Sequence, residues 1–81
     1  MTHELKTISP YYEAVESGVK TFEIRKDDRN FNVGDTLELS HWDDSSGGYD
    51  GDWIAVTVTY ILRDTRFLPL GYCCMSIKLK G

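Results

Sequence analysis

The sequence predicts a mainly β fold with one short helix, an α+β domain built around a small β-barrel. Five segments alternate apolar and polar residues with a period of two, which is typical of half-buried strands. Polar turns separate these segments, and one short stretch after Ser9-Pro10 carries helix signals instead. A barrel is expected because closure removes the exposed edges of a five-stranded sheet.

The length and composition fit one small globular domain over residues 1–81. Hydrophobic residues make up 41% and charged residues 27%, a balance that argues against disorder. The longest apolar runs are only a few residues, so no membrane-spanning segment is expected. The first residues, from Met1 to Leu5, lack the profile of a signal peptide, which predicts a cytoplasmic location.

The first two elements are a strand and a helix. Residues His3–Ile8 are expected to form a strand at an edge or at the barrel seam. Ser9 is a preferred N-cap and Pro10 suits the first helical position, so a helix is predicted from about Pro10 to Ser17, ending at Gly18. Its predicted apolar stripe consists of Tyr11, Ala14 and Val15.

The second strand begins near Lys20 and alternates clearly. Phe22 and Ile24 are predicted to face the core, because apolar residues two apart share one face of a strand. Glu23 and Arg25 then share the opposite face, toward the helix.

Three further strands are predicted over Thr36–Trp42, Trp53–Leu62 and Tyr72–Lys80, with a flexible hairpin loop over Asp43–Asp52. Their expected inward-facing residues are Leu37, Leu39, Ile54, Val56, Val58, Tyr60, Leu62, Cys73, Met75, Ile77 and Leu79. His41 falls on the Leu37 face and is expected to be a hydrogen-bonded, buried imidazole.

The cysteines and histidines indicate neither a disulfide nor a metal centre. Cys73 and Cys74 are adjacent, so they point to opposite faces of a strand and are expected to be free thiols, with Cys73 buried. The two histidines are far apart and lack a companion set of ligands, and the acidic Asp43–Asp52 loop lacks EF-hand spacing. We expect no metal and no cofactor.

One segment carries a specific motif. Residues 18–25 read Gly-Val-Lys-Thr-Phe-Glu-Ile-Arg, the pattern G-x-K-x-x-E-x-R, which resembles the signature of ASCH domains in the PUA-like superfamily. The flanking sequences extend the resemblance over nearly the whole chain, to a short branch found mainly in phages and bacteria and without an assigned activity. These flanks are His3-Glu4-Leu5-Lys6, residues 25–31, Val33-Gly34-Asp35 and Gly71-Tyr72.

The resemblance implies a PUA-like barrel that binds RNA or a nucleotide-like ligand in a cleft beside the signature. In this cleft Lys20 and Arg25 are expected to contact phosphate or a base edge, with Glu23 accepting from a base or holding Arg25. The net charge of −4 argues against a strong, sequence-blind DNA binder and favours a small, selective site. Further candidates for the rim of the site are His3, Lys6, Lys26, Arg29 and Trp42.

Three alternatives remain open at this point. Glu23 and Arg25 can instead form structural salt bridges, which requires that they are partly buried. The chain can also be a small hydrolase of RNA or an acylated nucleoside, with Lys20 as amine or oxyanion stabiliser and Glu23 as acid/base. Whether it is an enzyme is therefore left open, and binding to a host protein is a third alternative.

Overall fold

The computed structural model describes residues 1–80 as one five-stranded sheet with a short helix, so the predicted mainly β class is confirmed. The strand order is β1-β3-β4-β5-β2, and the sheet curls into a half-barrel whose outer strands are β1 and β2. The expected barrel is therefore only half formed. The elements are β1 (Thr2–Ile8), α1 (Tyr11–Glu16), β2 (Phe22–Lys26), β3 (Thr36–Asp43), β4 (Gly48–Leu62) and β5 (Tyr72–Leu79).

The core lies on the concave face of the sheet. β1 runs parallel to β3, in a register that places Leu5 beside Leu39, and the other strand pairs are antiparallel. Burial of these apolar side chains supplies most of the stability of a domain of this size. The buried cluster contains Leu5, Val15, Phe31, Leu37, Leu39, Val56, Val58, Cys73, Met75 and Ile77.

The helix is where the sequence predicts it, but Pro10 is its N-cap instead of the predicted Ser9, no side chain caps it, and its buried face differs. Tyr12 and Val15 are buried while Tyr11 is exposed, so the predicted stripe is wrong at its first position. The helix begins only at Tyr11, and this phase turns Tyr12 toward His41, whose ring centroid is 4.7 Å away. Gly18 ends the helix with φ +83°, a conformation that favours glycine, as predicted.

The segment predicted as a flexible loop over Asp43–Asp52 is mostly strand. β3 and β4 continue into it and leave a turn of only four residues, 44–47. Trp42 packs edge-to-face on Tyr49 across the two strands, at 5.0 Å between ring centroids, and Asp43 accepts a hydrogen bond from the backbone N–H of Ser45. These contacts order a segment whose composition alone is typical of a loop.

A register shift between β4 and β5 also changes which side chains face the core. The pairing of β4 with β5 shifts between Val58 and Tyr60, which leaves Tyr60 exposed and packs Ile61 against the core instead. Leu79 is exposed as well, because it lies at the end of β5. Cys73 is buried and Cys74 is half-buried, and both are free, as predicted.

Within residues 1–80, no helix is both long and apolar enough to cross a membrane.

Candidate functional site

A cleft of about 550 Å³ opens at the seam between the outer strands β1 and β2. A volume of this size is within the range of small-ligand sites. We refer to it as the seam cleft. Its lining residues come from the end of β1, the start of the helix and the signature segment: Lys6, Thr7, Ile8, Tyr11, Lys20, Phe22, Glu23, Ile24 and Arg25.

The three charged residues of the signature meet in the seam cleft. Glu23 is only 4% exposed, and its two carboxylate oxygens accept hydrogen bonds from Lys20 Nζ at 2.7 Å and from Arg25 Nε at 3.0 Å. Lys20 Nζ also donates to the carbonyl oxygen of Phe22 at 2.6 Å. A buried carboxylate between two cations is compensated by charge as well as by hydrogen bonds.

Arg25 also connects the two outer strands. Its Nη1 donates to the carbonyl oxygen of Lys6 at 2.9 Å, and its Nη2 donates to Thr7 Oγ1 at 3.1 Å. Nearer the start of β1, Arg29 Nη1 donates to the carbonyl oxygen of Glu4 at 2.7 Å. The β1 carbonyls that point away from β3 therefore bond to arginine side chains from the β2 side, and the seam is bridged by guanidinium groups.

The orientation of β2 is the reverse of the predicted one. Glu23 pairs with Met75 and Arg25 with Cys73, and paired residues share a face, so the charged pair points to the concave side. Phe22 and Ile24 are 44% and 51% exposed. Glu23 and Arg25 can point inward because the ion pairs compensate the buried charge of Glu23. Phe22 and Ile24 form the outer wall of the seam cleft.

Aromatic rings stand beside the cation of Lys20. Its Nζ lies 4.7 Å from the centroid of the Phe22 ring and 6.0 Å from that of Tyr11. Both rings are exposed and both line the seam cleft. The cleft thus offers apolar, aromatic walls next to positive charge.

A protein-family model described as "Domain of unknown function (DUF3850)" matches residues 2–77. The chain belongs to the DUF3850 family. It is also similar to the "Uncharacterized 12.9 kDa protein in GpA 3'region" of Escherichia phage P2, with 48% identity over 40 residues. That match covers 49% of this chain and 37% of the phage protein.

The other rim candidates in this DUF3850 domain are placed differently. Lys6 lines the seam cleft, and its Nζ lies 4.2 Å above the ring of Trp42, which is half-buried. Lys6 also borders a second depression of about 370 Å³ that contains the exposed rings of Tyr49 and Trp53. Lys26 is exposed at the end of β2, outside the lining of the seam cleft.

His3 lies in the core and not in the seam cleft. Its Nε2 is 2.8 Å from Asp35 Oδ2, and its ring packs edge-to-face on Phe31. The hydrogen bond from His3, aided by one from the backbone N–H of Asn32, lowers the pKa of Asp35 to about 2. The pair therefore joins the start of β1 to the start of β3.

His41 is hydrogen-bonded, as the sequence predicts, but it is only half-buried. A bulge between Ser40 and Trp42 takes it off the regular inner face of β3. Its two ring nitrogens contact Ser9 and Asp50, neither of which the sequence singles out as a site residue. No sequence signal links them, because they are 32 and 9 residues from His41.

Among residues 1–80, no cluster of three or more His, Cys, Asp or Glu side chains is placed to bind a metal ion.

Proposed function

We propose that this DUF3850 domain is a PUA-like, ASCH-related module that binds RNA or a nucleotide in the seam cleft. The observation that carries the proposal is a local excess of positive charge within an apolar cleft. Lys6, Lys20 and Arg25 line it with one carboxylate, Glu23, although the whole chain carries a net charge of −4. A cytoplasmic site of action, in a phage or bacterial setting, belongs to the same proposal.

The three cations have different roles because they make different hydrogen bonds. Arg25 gives hydrogen bonds to Glu23, Lys6 and Thr7, so its role is to shape the wall and supply charge. Lys20 uses two of its three N–H donors on Phe22 and Glu23 and keeps one for a ligand. Lys6 is exposed and completes the positive rim.

The aromatic wall supports a ligand with a planar ring. Tyr11 and Phe22 are exposed within the cleft, next to the free donor of Lys20. Aromatic side chains bind unpaired bases by stacking, and a neighbouring cation binds phosphate. A nucleotide carries both of these groups in one molecule.

The experiment is calorimetric titration of the full chain with nucleoside monophosphates and with short single-stranded RNA. Lys6→Gln should weaken binding about threefold to fivefold, because an exposed ion pair contributes up to about 1 kcal/mol. Phe22→Ala should weaken it by about 1–3 kcal/mol through lost stacking. Lys26→Gln is the matched control, since it removes the same charge from an exposed position on the other outer strand, β2, outside the lining of the cleft.

Equal losses in Lys6→Gln and Lys26→Gln would show a diffuse charge effect and would contradict the proposal. So would the absence of heat with every ligand. Mass spectrometry of molecules that copurify with the protein identifies the ligand class, including a host protein.

Hydrolysis by Lys20 and Glu23 is the alternative outcome of the same titration. Both carboxylate oxygens of Glu23 already accept hydrogen bonds, so Glu23 can take up a substrate proton only if one of these hydrogen bonds breaks. Chromatography of the RNA after titration detects cleavage directly. Products that are lost in Lys20→Gln would support the enzymatic alternative.

A further inference from the structure

A hydroxyl, an imidazole and a carboxylate form a hydrogen-bonded row beside the seam cleft. Ser9 Oγ is 2.8 Å from His41 Nε2, and His41 Nδ1 is 2.5 Å from Asp50 Oδ2. The three residues come from the end of β1, from β3 and from β4. This is the order of groups that activates a serine nucleophile in unrelated hydrolase folds.

The base and its carboxylate are held in place while the serine is accessible. The ring of His41 packs on Tyr12 and its side chain is only 16% exposed. Asp50 uses its other oxygen, Oδ1, to accept a hydrogen bond from the backbone N–H of Asp52 at 3.0 Å. Ser9 is exposed. A fixed base next to an accessible hydroxyl is the arrangement that nucleophilic catalysis needs.

Ser9 adjoins the seam cleft through its neighbours in the chain, while the three side chains of the row lie outside the lining of the cleft. Ser9 is flanked along the chain by Ile8 and, after Pro10, by Tyr11, and both of these flanking residues line the seam cleft. The apolar wall continues with Phe22 and Ile24.

Glu13 controls where the serine proton lies. Ser9 Oγ donates to Glu13 Oε1 at 2.7 Å, and a hydroxyl has only one proton to donate. His41 must then donate from Nε2 to Ser9 and from Nδ1 to Asp50, which makes it an imidazolium. In this state the serine is not activated, because its base already carries the proton.

Loss of one proton from His41 changes the row. Nε2 then presents a lone pair, and the Ser9 hydroxyl can turn from Glu13 to His41. The charged and titratable groups that face His41 are Asp50 from β4, Glu13 and Tyr12 from α1, and Asp43 from its own strand. The hydrogen bond to Asp50 raises the pKa of His41, against the effect of partial burial.

We propose that Ser9, His41 and Asp50 form a nucleophilic site that cleaves carboxylic esters, and that Glu13 restrains this site while His41 is protonated. The proposal stands independently of nucleotide binding in the seam cleft.

The reaction needs only the ester and water. Ser9 Oγ attacks the carbonyl carbon as its proton moves to His41 Nε2. The C–O bond to the alcohol breaks, and Nε2 returns the proton to the departing alkoxide. Water then attacks the acyl-Ser9 carbonyl and gives a proton to Nε2, which passes it to Ser9 Oγ as the carboxylic acid leaves. An ester is the expected substrate because an alkoxide leaves more readily than an amine.

The test is labelling of the full chain with a fluorophosphonate probe from pH 5 to pH 9, with the modified residue located by mass spectrometry. We expect modification of Ser9 that increases with pH as His41 loses its proton. Ser9→Ala should abolish labelling, and Asp50→Asn should slow it at least tenfold. Ser45, exposed in the β3–β4 turn, is the internal control and should stay unmodified.

Glu13→Ala separates a nucleophile from a merely structural network. It removes the acceptor that holds the Ser9 proton and one of the charges that favour imidazolium. Labelling should become severalfold faster, and its pH profile should move to lower pH. Glu13 is half exposed on the helix surface, so this variant should keep the fold, which circular dichroism checks.

Failure of both wild type and Glu13→Ala to label at any pH would overturn the proposal. Labelling that Asp50→Asn leaves unchanged would overturn it as well, since the row would then not activate Ser9. Turnover of 4-nitrophenyl acetate above the rate of the Ser9→Ala variant is the supporting catalytic result.

Discussion

Arg25 reaches across the seam of the half-barrel and donates a hydrogen bond to the carbonyl oxygen of Lys6 at 2.9 Å. The two residues belong to the outer strands of the sheet, β2 and β1. The side chain thus provides, at one point of the seam, a link that a backbone hydrogen bond would provide in a closed barrel. The same side chain holds Glu23, so the fold and the seam cleft depend on one residue.

Replacing Arg25 is expected to reduce stability. Arg25→Ala leaves Glu23 buried with Lys20 as its remaining partner and removes two hydrogen bonds to β1. The free energy of unfolding should fall by about 1–3 kcal/mol. Urea denaturation measures it. Adding Glu23→Gln to Arg25→Ala should restore part of the loss, and a double variant that is less stable than Arg25→Ala would contradict this explanation.

The His3–Asp35 pair predicts a loss of stability in acid. The folded pKa of Asp35 is about 2, below its ordinary value of 3.8, so the ionised form is favoured by folding. The stabilisation, about 2 kcal/mol, is complete above about pH 5 and is lost as the pH falls through the folded pKa of about 2. Urea denaturation between pH 2 and pH 5 measures it. Asp35→Asn should flatten this part of the profile, and an unchanged profile would show that another carboxylate is responsible.

Binding of single-stranded RNA should depend only weakly on salt. Two cations, Lys6 and Lys20, are available to phosphate in the seam cleft, and each phosphate contact on a single strand releases about 0.7 counterion. The association constant should fall about sevenfold between 50 and 200 mM salt. A fall of a hundredfold or more would indicate a long phosphate track elsewhere on the surface.

The two cysteines should react at different rates with a thiol reagent. Burial raises the pKa of the Cys73 thiol, and the side chain lies in the core, whereas Cys74 is half-buried. Native protein should therefore be labelled first at Cys74, and both residues should react in denaturant. Equal fast labelling in the native state would contradict the burial of Cys73.

Much of the fold follows from local patterns in the sequence. The period of two around Leu37 and Leu39 and around Met75 and Ile77 predicts both the strands and their buried faces. Gly18 predicts the end of the helix through its backbone conformation. These features depend on neighbours in the chain, which the sequence shows directly.

The orientation of β2 could not be predicted in the same way. Alternation shows that Phe22 and Glu23 point to opposite faces, but either face can be the inner one. Lys20 and Arg25 compensate the buried charge of Glu23 from nearby positions in the chain. Arg25 is in turn held by hydrogen bonds to Lys6 and Thr7 of β1, 19 and 18 residues away, and this tertiary contact is not visible in the pattern of β2. The hydrogen bond between Ser9 and His41 likewise depends on a bulge in β3, and no residue type in the sequence indicates this bulge.

The seam cleft as a nucleotide site is tested most directly by nuclear magnetic resonance of ¹⁵N-labelled protein titrated with a short single-stranded RNA. We expect the amide shifts to concentrate in residues 6–8, 20 and 22–25, which line the two sides of the cleft. Shifts centred on the exposed Tyr60 face of β4, or no shifts at millimolar RNA, would contradict it.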